Sequence, residues 1–412
     1  MPDLRWATRL VRIDSRMVVT SIPSAAKIAV PMLDLKRQYE SIRDEVREAV
    51  DRVLSGQHFI GGPELESFER EAAEYLGAQA VVGCASGTDA LWLALQAAGV
   101  GPGDSVLTTP FSFFASVSTI VRCGATPVLA DIDAATLNLD WRATEGALQR
   151  ARQQKVSAIM PVHLYGQCAN MDELARLAAE YGVAIIEDAA QAFGAKWRER
   201  KAGTLGLAAG FSFYPTKNLS AYGEAGCVTT NEPELAERVR RLRNHGSERR
   251  YYHNEIGWNC RLDALQSAVL RVKLRHLDGW NQQRRILACR YHGLLMKAGL
   301  VVSNAQSINA QAPITFLSSA PEAYHIYHQY VIRCWRRDEL RAFLTEQGIA
   351  SEIYYPVPLH LQKCFAYLGY REGDLPEAER AASEVLALPM FPELREDEQQ
   401  RVAAAIAEFY TR

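Results

Sequence analysis

The chain has 412 residues, 48% of them hydrophobic and 23% charged, with a formal net charge of -2. That is the balance of an ordinary globular protein with room for a large domain and a smaller one. It offers no electrostatic case for nucleic acid or for an anionic membrane surface. Eight cysteines lie at least 29 positions apart, which excludes CxxC redox or zinc spacing and reads as reduced intracellular thiols.

Arg5, Arg9, Arg12 and Arg16 precede "MVVTSIPSAAKIAV". Thr20, Ser21, Pro23, Ser24 and Lys27 interrupt that apolar stretch, so no signal-peptide core forms. No later run reaches the length of a transmembrane helix. Residues 1–30 therefore read as a poorly ordered arm of a cytoplasmic protein.

From Leu33 the pattern becomes regular. "YESIRDEVREAVDRVLSG" places Ile42, Val46, Val50 and Val53 on one helical face and stops at Gly56. "PELESFEREAAEYLG" predicts a second amphipathic helix ending at Gly77. Short apolar runs then alternate with helical patterns: "AVVGCAS", "DSVLTTP", "TPVLAD", "VSAIMPVHLY" and "VAIIEDAA". Such runs predict buried parallel strands with helices on both faces, an α/β architecture. "GFSFYP" and "GCVTT" lie too close for a crossover helix, so this pair is expected to be antiparallel within a mixed sheet. Beyond residue 270, "RLDALQSAVLRVKLRHLDGWNQQRRILACRYHGLLMKAG" predicts one long connector helix. A polar loop over 302–312, the strand "HQYVIRC", a helix from Arg337, a proline-rich stretch near Tyr355 and a last helix follow. The expected organisation is a large domain over 31–270, then the connector and a smaller α/β domain over 271–412.

Ligands of open α/β sheets bind at the carboxyl ends of the strands, so polar residues there carry the functional reading. Ser86, Gly87 and Thr88 follow the first strand at a helix N-terminus, where free amides and the dipole favour a phosphate. An ordinary N-cap explains the same residues. Asp188 ends another strand within "EDAAQ" and needs a partner to stay ionised. A ribose-binding acid, a metal ligand or the partner of a protonated pyridine nitrogen all fit. No GxGxxG opens the first turn and no acidic cluster or HExxH is present, which weakens the first two; no metal is expected. Gln191 lies three residues on, within reach of the same ligand. Lys217, in "SFYPTKNL", follows an apolar strand, and a desolvated lysine can form a Schiff base. A phosphate cradle, a strand-end acid and a strand-end lysine on one edge match the three handles of pyridoxal 5'-phosphate.

The motifs "SGTDAL", "PFSFFAS", "PVHLYGQ", "EDAAQAFGA", "FSFYPTKNL", "GWNCRLDALQSA" and "PVPLHLQ" occur in this order over some 380 residues. In them the chain resembles the DegT/DnrJ/EryC1/StrS nucleotide-sugar aminotransferases, a fold-type-I pyridoxal phosphate family. The resemblance implies that Lys217 carries the cofactor as a Schiff base and shuttles the proton. It implies that Asp188 holds the ring nitrogen protonated, Gln191 reaches the ring hydroxyl and Phe113 stacks on the ring. Gly87, Thr88 and Ser212 would hold the phosphate, completed by Asn259 from the neighbouring subunit of a homodimer. His163, His328 and Tyr330 would face the substrate, although each histidine is equally well explained as structural. Phe193 stands where the family often has histidine, and Glu224 and Ala225 depart from its usual loop.

The resemblance implies transfer of an amino group, with glutamate as donor, to a nucleotide-linked keto-sugar; "HLYGQ" and "FYPTKNL" resemble the enzymes that aminate the sugar C3 more than those acting at C4. Two alternatives stand beside it. A sugar dehydratase of the same fold would carry histidine in place of Lys217. A non-catalytic regulator would bind the cofactor only, and no DNA-binding module or basic patch accompanies the chain.

Overall fold

The computed structural model describes residues 29–151, 154–303 and 305–412. The expected arm lies outside the described residues up to position 28, whereas Val30 is buried and bridges Ile349. Helix α1 (Leu35–Gly56) begins where the Asp34 carboxylate accepts the Lys36 and Arg37 amides, and it ends on a left-handed Gln57. It buries Ile42, Val46, Ala49 and Val53. Val50, expected on that face, is only partly covered, because the seven-residue stride from Ile42 lands on Ala49. Helix α2 (Pro63–Leu76) opens on proline and closes on a left-handed Gly77.

Seven strands form the main sheet: β1 (Ala80–Cys84), β2 (Asp104–Thr108), β3 (Thr126–Leu129), β4 (Lys155–Met160), β5 (Ala184–Asp188), β6 (Ala208–Ser212) and β7 (Gly226–Thr230). Their spatial order is β1-β7-β6-β5-β4-β2-β3. Strand β7 runs antiparallel to β1 and β6, and every other pairing is parallel. Six strands therefore end on one edge. Helices α3 (Gly87–Ala97), α4 (Ala115–Arg122), α5 (Trp141–Arg150), α6 (Met171–Tyr181) and α7 (Pro233–Leu242) cover the faces. Adjacent strand residues alternate between two cores: Leu107, Ile159 and Cys227 pack on one face, Val106, Ala158 and Val228 on the other.

The expected single connector is two helices, α8 (Ala264–Leu274) and α9 (Leu277–Lys297). The Arg275 and His276 amides reach back only three residues, to Val272 and Lys273. Both side chains clasp Glu45 of α1, at 2.8 and 2.9 Å. A tertiary contact, not a glycine or proline, accompanies the break. The expected boundary between residues 270 and 271 falls inside α8.

The C-terminal part holds β8 (Ile314–Phe316), β9 (Tyr330–Cys334), α10 (Arg337–Glu346), α11 (Pro376–Glu384), β10 (Val385–Leu388) and α12 (Glu396–Thr411). The strands pair antiparallel in the order β8-β9-β10. Strands β8 and β10 and helix α11 have no counterpart in the sequence reading. The core here is continuous with the segments that follow β2 and β4 at the sheet's carboxyl edge, since Phe111, Val117 and Tyr165 cluster with Ile332, Leu386 and Phe391. The segment after α10 lies across the loop that follows β2. There the Leu359 amide donates to the Pro110 carbonyl at 2.7 Å, and the Phe365 ring stacks on Phe114.

Candidate active site

The sheet edge brings the distant polar residues together. Cys84 and Ser212 both register with Gly226, on either side of β7. This sets the β1–α3 turn against the end of β6. Gly87 approaches Ser212 so closely that a Cβ on it would sit 2.5 Å from the Ser212 Cβ; only glycine fits. The Ser86 hydroxyl accepts the Asp89 amide at 3.0 Å, the ordinary capping bond. The Gly87 and Thr88 amides remain at the helix mouth beside Ser212, so the cap and the anion cradle coexist.

Asp188 registers with Gly210 of β6 and is 4% exposed. One carboxylate oxygen accepts the Ser116 hydroxyl at 2.6 Å and the other accepts the Ala190 amide at 3.2 Å. Burial pushes its pKa up, and those two bonds and the Lys217 charge oppose the rise. Lys217 sits five residues past β6, its amide tied to the Tyr214 carbonyl at 2.8 Å. Burial pulls its ammonium down to about 8, with Asp188 opposing. No described residue hydrogen-bonds or ion-pairs with the Lys217 amine.

Gln191 accepts the Tyr165 amide on Oε1 at 2.6 Å and donates from Nε2 to the Tyr355 hydroxyl at 3.1 Å. Phe113 is 57% exposed, with one ring neighbour, Tyr355, at 6.4 Å. Phe114 beside it is already stacked on Phe365. In "FSFFAS", Phe113 is thus the ring with a face to offer.

The remaining expected site residues separate. His163 is wholly buried, accepts the Ala169 amide on Nδ1 and donates from Nε2 to Glu187 at 2.9 Å. Both ring nitrogens are occupied, so it has no atom left for a substrate. Tyr330 is 2% exposed and stacks on Tyr291 inside the C-terminal core; its place is packing. His328 bonds Asn218, the residue after Lys217, through Nδ1 at 3.1 Å. Burial, then Lys217 and Arg284, hold this imidazole far below its ordinary pKa, so it is neutral. Asn259 is exposed and bridges Asn244 through its backbone. Capping of α8 falls to Asp263, which accepts the Gln266 amide, so a capping role does not explain Asn259. Phe193 fills an aromatic cluster with Tyr75, Phe211 and Phe213.

Sequence reasoning missed Ser116, Tyr165 and Tyr355, although each lies inside or beside a motif already singled out. It also missed Lys273, a fully buried lysine that donates to Ser220 at 2.9 Å and lies over the Tyr222 ring. As a set, the edge can take an anion at the mouth of α3, a protonated ring nitrogen at Asp188, a carbonyl at Lys217 and a flat ring against Phe113. That donor set fits a phosphorylated pyridine aldehyde.

Comparison with known proteins agrees over nearly the whole chain. A relative from Geobacillus stearothermophilus named "Pleiotropic regulatory protein" is 51% identical over 92% of this chain and 98% of its own length. A dTDP-3-amino-3,4,6-trideoxy-alpha-D-glucose transaminase from Streptomyces venezuelae is 44% identical over 93% of this chain and 97% of its own. The crystal structure of S. venezuelae DesV in complex with a ketimine intermediate superposes with a TM-score of 0.87, at 44% identity, covering 93% of this chain and 99% of that one. The family model described as the DegT/DnrJ/EryC1/StrS aminotransferase family matches residues 40–407, and the chain belongs to that family.

Proposed function

We propose that the protein is a pyridoxal 5'-phosphate-dependent aminotransferase that converts a nucleotide-linked 3-keto-sugar to the amino sugar, with glutamate as amino donor. The observation that carries this reading is the Lys217–Asp188 pair: an easily deprotonated amine and a buried carboxylate on one sheet edge, beside a glycine-lined anion cradle. The C3 amino sugar in the Streptomyces relative's name supports the sugar class. The ketimine held in the similar structure supports carbonyl–amine chemistry.

When bound, the cofactor supplies an electron sink for the carbon that loses its proton. Gly87, Thr88 and Ser212 bind its phosphate at the α3 N-terminus. Asp188 keeps the ring nitrogen protonated, while Ser116 and the Ala190 amide hold the carboxylate anionic against burial. Phe113 covers one ring face and Gln191 reaches the ring hydroxyl. With its pKa near 8, Lys217 exists partly as free amine at neutral pH and moves the proton at the donor carbon and at the sugar carbon. His328, fixed through Nδ1 by Asn218, keeps Nε2 for the substrate side. His163 and Tyr330 support the scaffold.

The working unit in this reading is a homodimer. Phe59, Ile60, Tyr251, Tyr252, Ile256 and Trp258 are large exposed apolar residues near Asn259 in the chain or paired beside α8, and such residues call for cover. Asn259 then completes the partner's phosphate site across a two-fold axis. Mixing Lys217→Ala with Asn259→Ala subunits restores one intact site per heterodimer, so activity rises above both parents. Verified exchange without recovered activity refutes the shared site.

Among the described residues no helix is long and apolar enough to cross a membrane, and we place the enzyme in the cytoplasm. A second reading, a cofactor-binding regulator without catalysis, is favoured by the name of the Geobacillus relative. The absorbance spectrum separates the two. An aminotransferase shows a visible band that bleaches with glutamate and returns with a nucleotide-linked keto-sugar. A band indifferent to glutamate supports the regulator.

A further inference from the structure

Gln191 is held at both ends by residues far away in the chain. A backbone amide can only donate, so the Tyr165 N–H at 2.6 Å identifies Oε1 as the end of the Gln191 amide on that side and leaves Nε2 to be held separately. Nε2 then donates one hydrogen to the Tyr355 hydroxyl at 3.1 Å, and its second hydrogen has no partner among the described residues. The Tyr165 phenol donates in turn to the Tyr354 carbonyl. The bonds close a ring: Tyr165 to Gln191, Gln191 to Tyr355, and residue 354 back to Tyr165. Tyr165 makes both contacts at φ 57, a left-handed conformation that bulky residues rarely adopt.

Tyr355 arrives from the C-terminal part, between the rings of Phe111 and Phe113 at 6.3 and 6.4 Å. The charged and titratable groups that face it are Asp188, Tyr354 and Tyr165; Asp188 in turn faces Lys217 and His163. We propose that Tyr355 is a positioning residue: from the C-terminal part it holds the Gln191 amide so that a free N–H, not the carbonyl, is turned toward the bound cofactor's ring oxygen. This rests on the cofactor reading given above. It makes the seating of residues 354–355 over the loop after β2 a condition for the correct donor in the site.

The test uses Tyr355→Phe, which keeps the ring between Phe111 and Phe113 and removes only the hydroxyl. In the reconstituted holoenzyme the pH midpoint of the visible band is expected to move up by about 0.5 unit or more, because a withdrawn donor leaves the ring oxygen holding its proton to higher pH. Gln191→Ala should show the same displacement, and adding Tyr355→Phe to it should move the midpoint no further. A midpoint unmoved by Tyr355→Phe, or displacements that simply add, overturns the proposal. Urea unfolding of the apoproteins carrying Gln191→Ala, Tyr355→Phe and both gives a reading without cofactor, in which additive shifts in the midpoint also overturn it. A wild-type protein with no visible band after reconstitution instead refutes the cofactor reading itself.

Discussion

Glu187 and Asp188 are neighbours on β5 whose side chains point to opposite faces of the sheet, and the fold treats the two carboxylates differently. Glu187 is wholly buried and accepts the amides of Gly203, Leu205 and Gly206 at 2.7–2.8 Å together with His163 Nε2 at 2.9 Å. Its charge is saturated by fixed donors, three of them backbone. Asp188 has one hydroxyl and one amide, and the nearby ammonium makes no hydrogen bond to it. A buried charge with a full set of donors braces a loop. One with an incomplete set, facing an unpaired amine, is held ready for a ligand that completes it. The motif "EDAAQ" therefore contains, side by side, an acid with a full set of donors and an acid with an incomplete one.

The largest expected effect is on the open side. Lys217→Ala should lower transamination on the order of 10⁴-fold or more, since it removes both the covalent attachment and the proton carrier. Borohydride reduction and peptide mapping of wild-type enzyme should label Lys217. Label on buried Lys273 instead would move the functional amine to another desolvated lysine. Asp188→Asn should keep the cofactor through the phosphate contacts yet slow turnover on the order of 10³-fold, because a neutral ring nitrogen is a poor sink. Near-normal turnover in that variant would erase the distinction between the two acids.

On the saturated side the effect should fall on stability. Glu187→Gln turns an N–H₂ toward donors that need an acceptor and should cost about 3 kcal/mol in denaturant unfolding. The kcat of the folded fraction should stay within about twofold. A variant that is stable but inactive would place Glu187 in the chemistry.

The smallest effect is in pH dependence, and its sign separates Lys217 from Asp188. The folded-state pKa of Lys217 is depressed from 10.5 to about 8. The stability it contributes is therefore present above its unfolded pKa and lost as pH falls through about 8. Apoprotein Lys217→Met should accordingly be the more stable at pH 7, with the advantage over wild type shrinking by pH 10. Asp188 is raised, so its contribution is present below the ordinary carboxylate range and lost as pH rises through its folded pKa. Apoprotein Asp188→Asn should lose none of its stability there. Equal pH profiles for wild type and both variants would show that neither charge costs the fold anything.

Much of this architecture was legible in the chain because it rests on local chemistry. The spacing of Ile42, Val46 and Val53, the glycines at 56 and 77, and the short apolar runs ended by polar residues set the helices and strands. Ser86, Gly87, Asp188 and Lys217 announce themselves because each follows an apolar strand, and parallel strands deliver their ends to one edge. What the chain could not show depends on residues meeting across long separations. The break at Arg275 and His276 accompanies a contact with Glu45, 230 positions away. The segment carrying Tyr355 had no periodicity to reveal that its hydroxyl meets Gln191, 164 positions earlier. His163 reads as a substrate residue by motif and becomes structural only when Glu187 and the Ala169 amide close on both nitrogens. Sequence alone determined which residues stand at the strand ends, because periodicity and capping act over a few residues. Tertiary structure alone decided which of their charges are satisfied, because that depends on how many donors the folded chain brings within about 3 Å of each one.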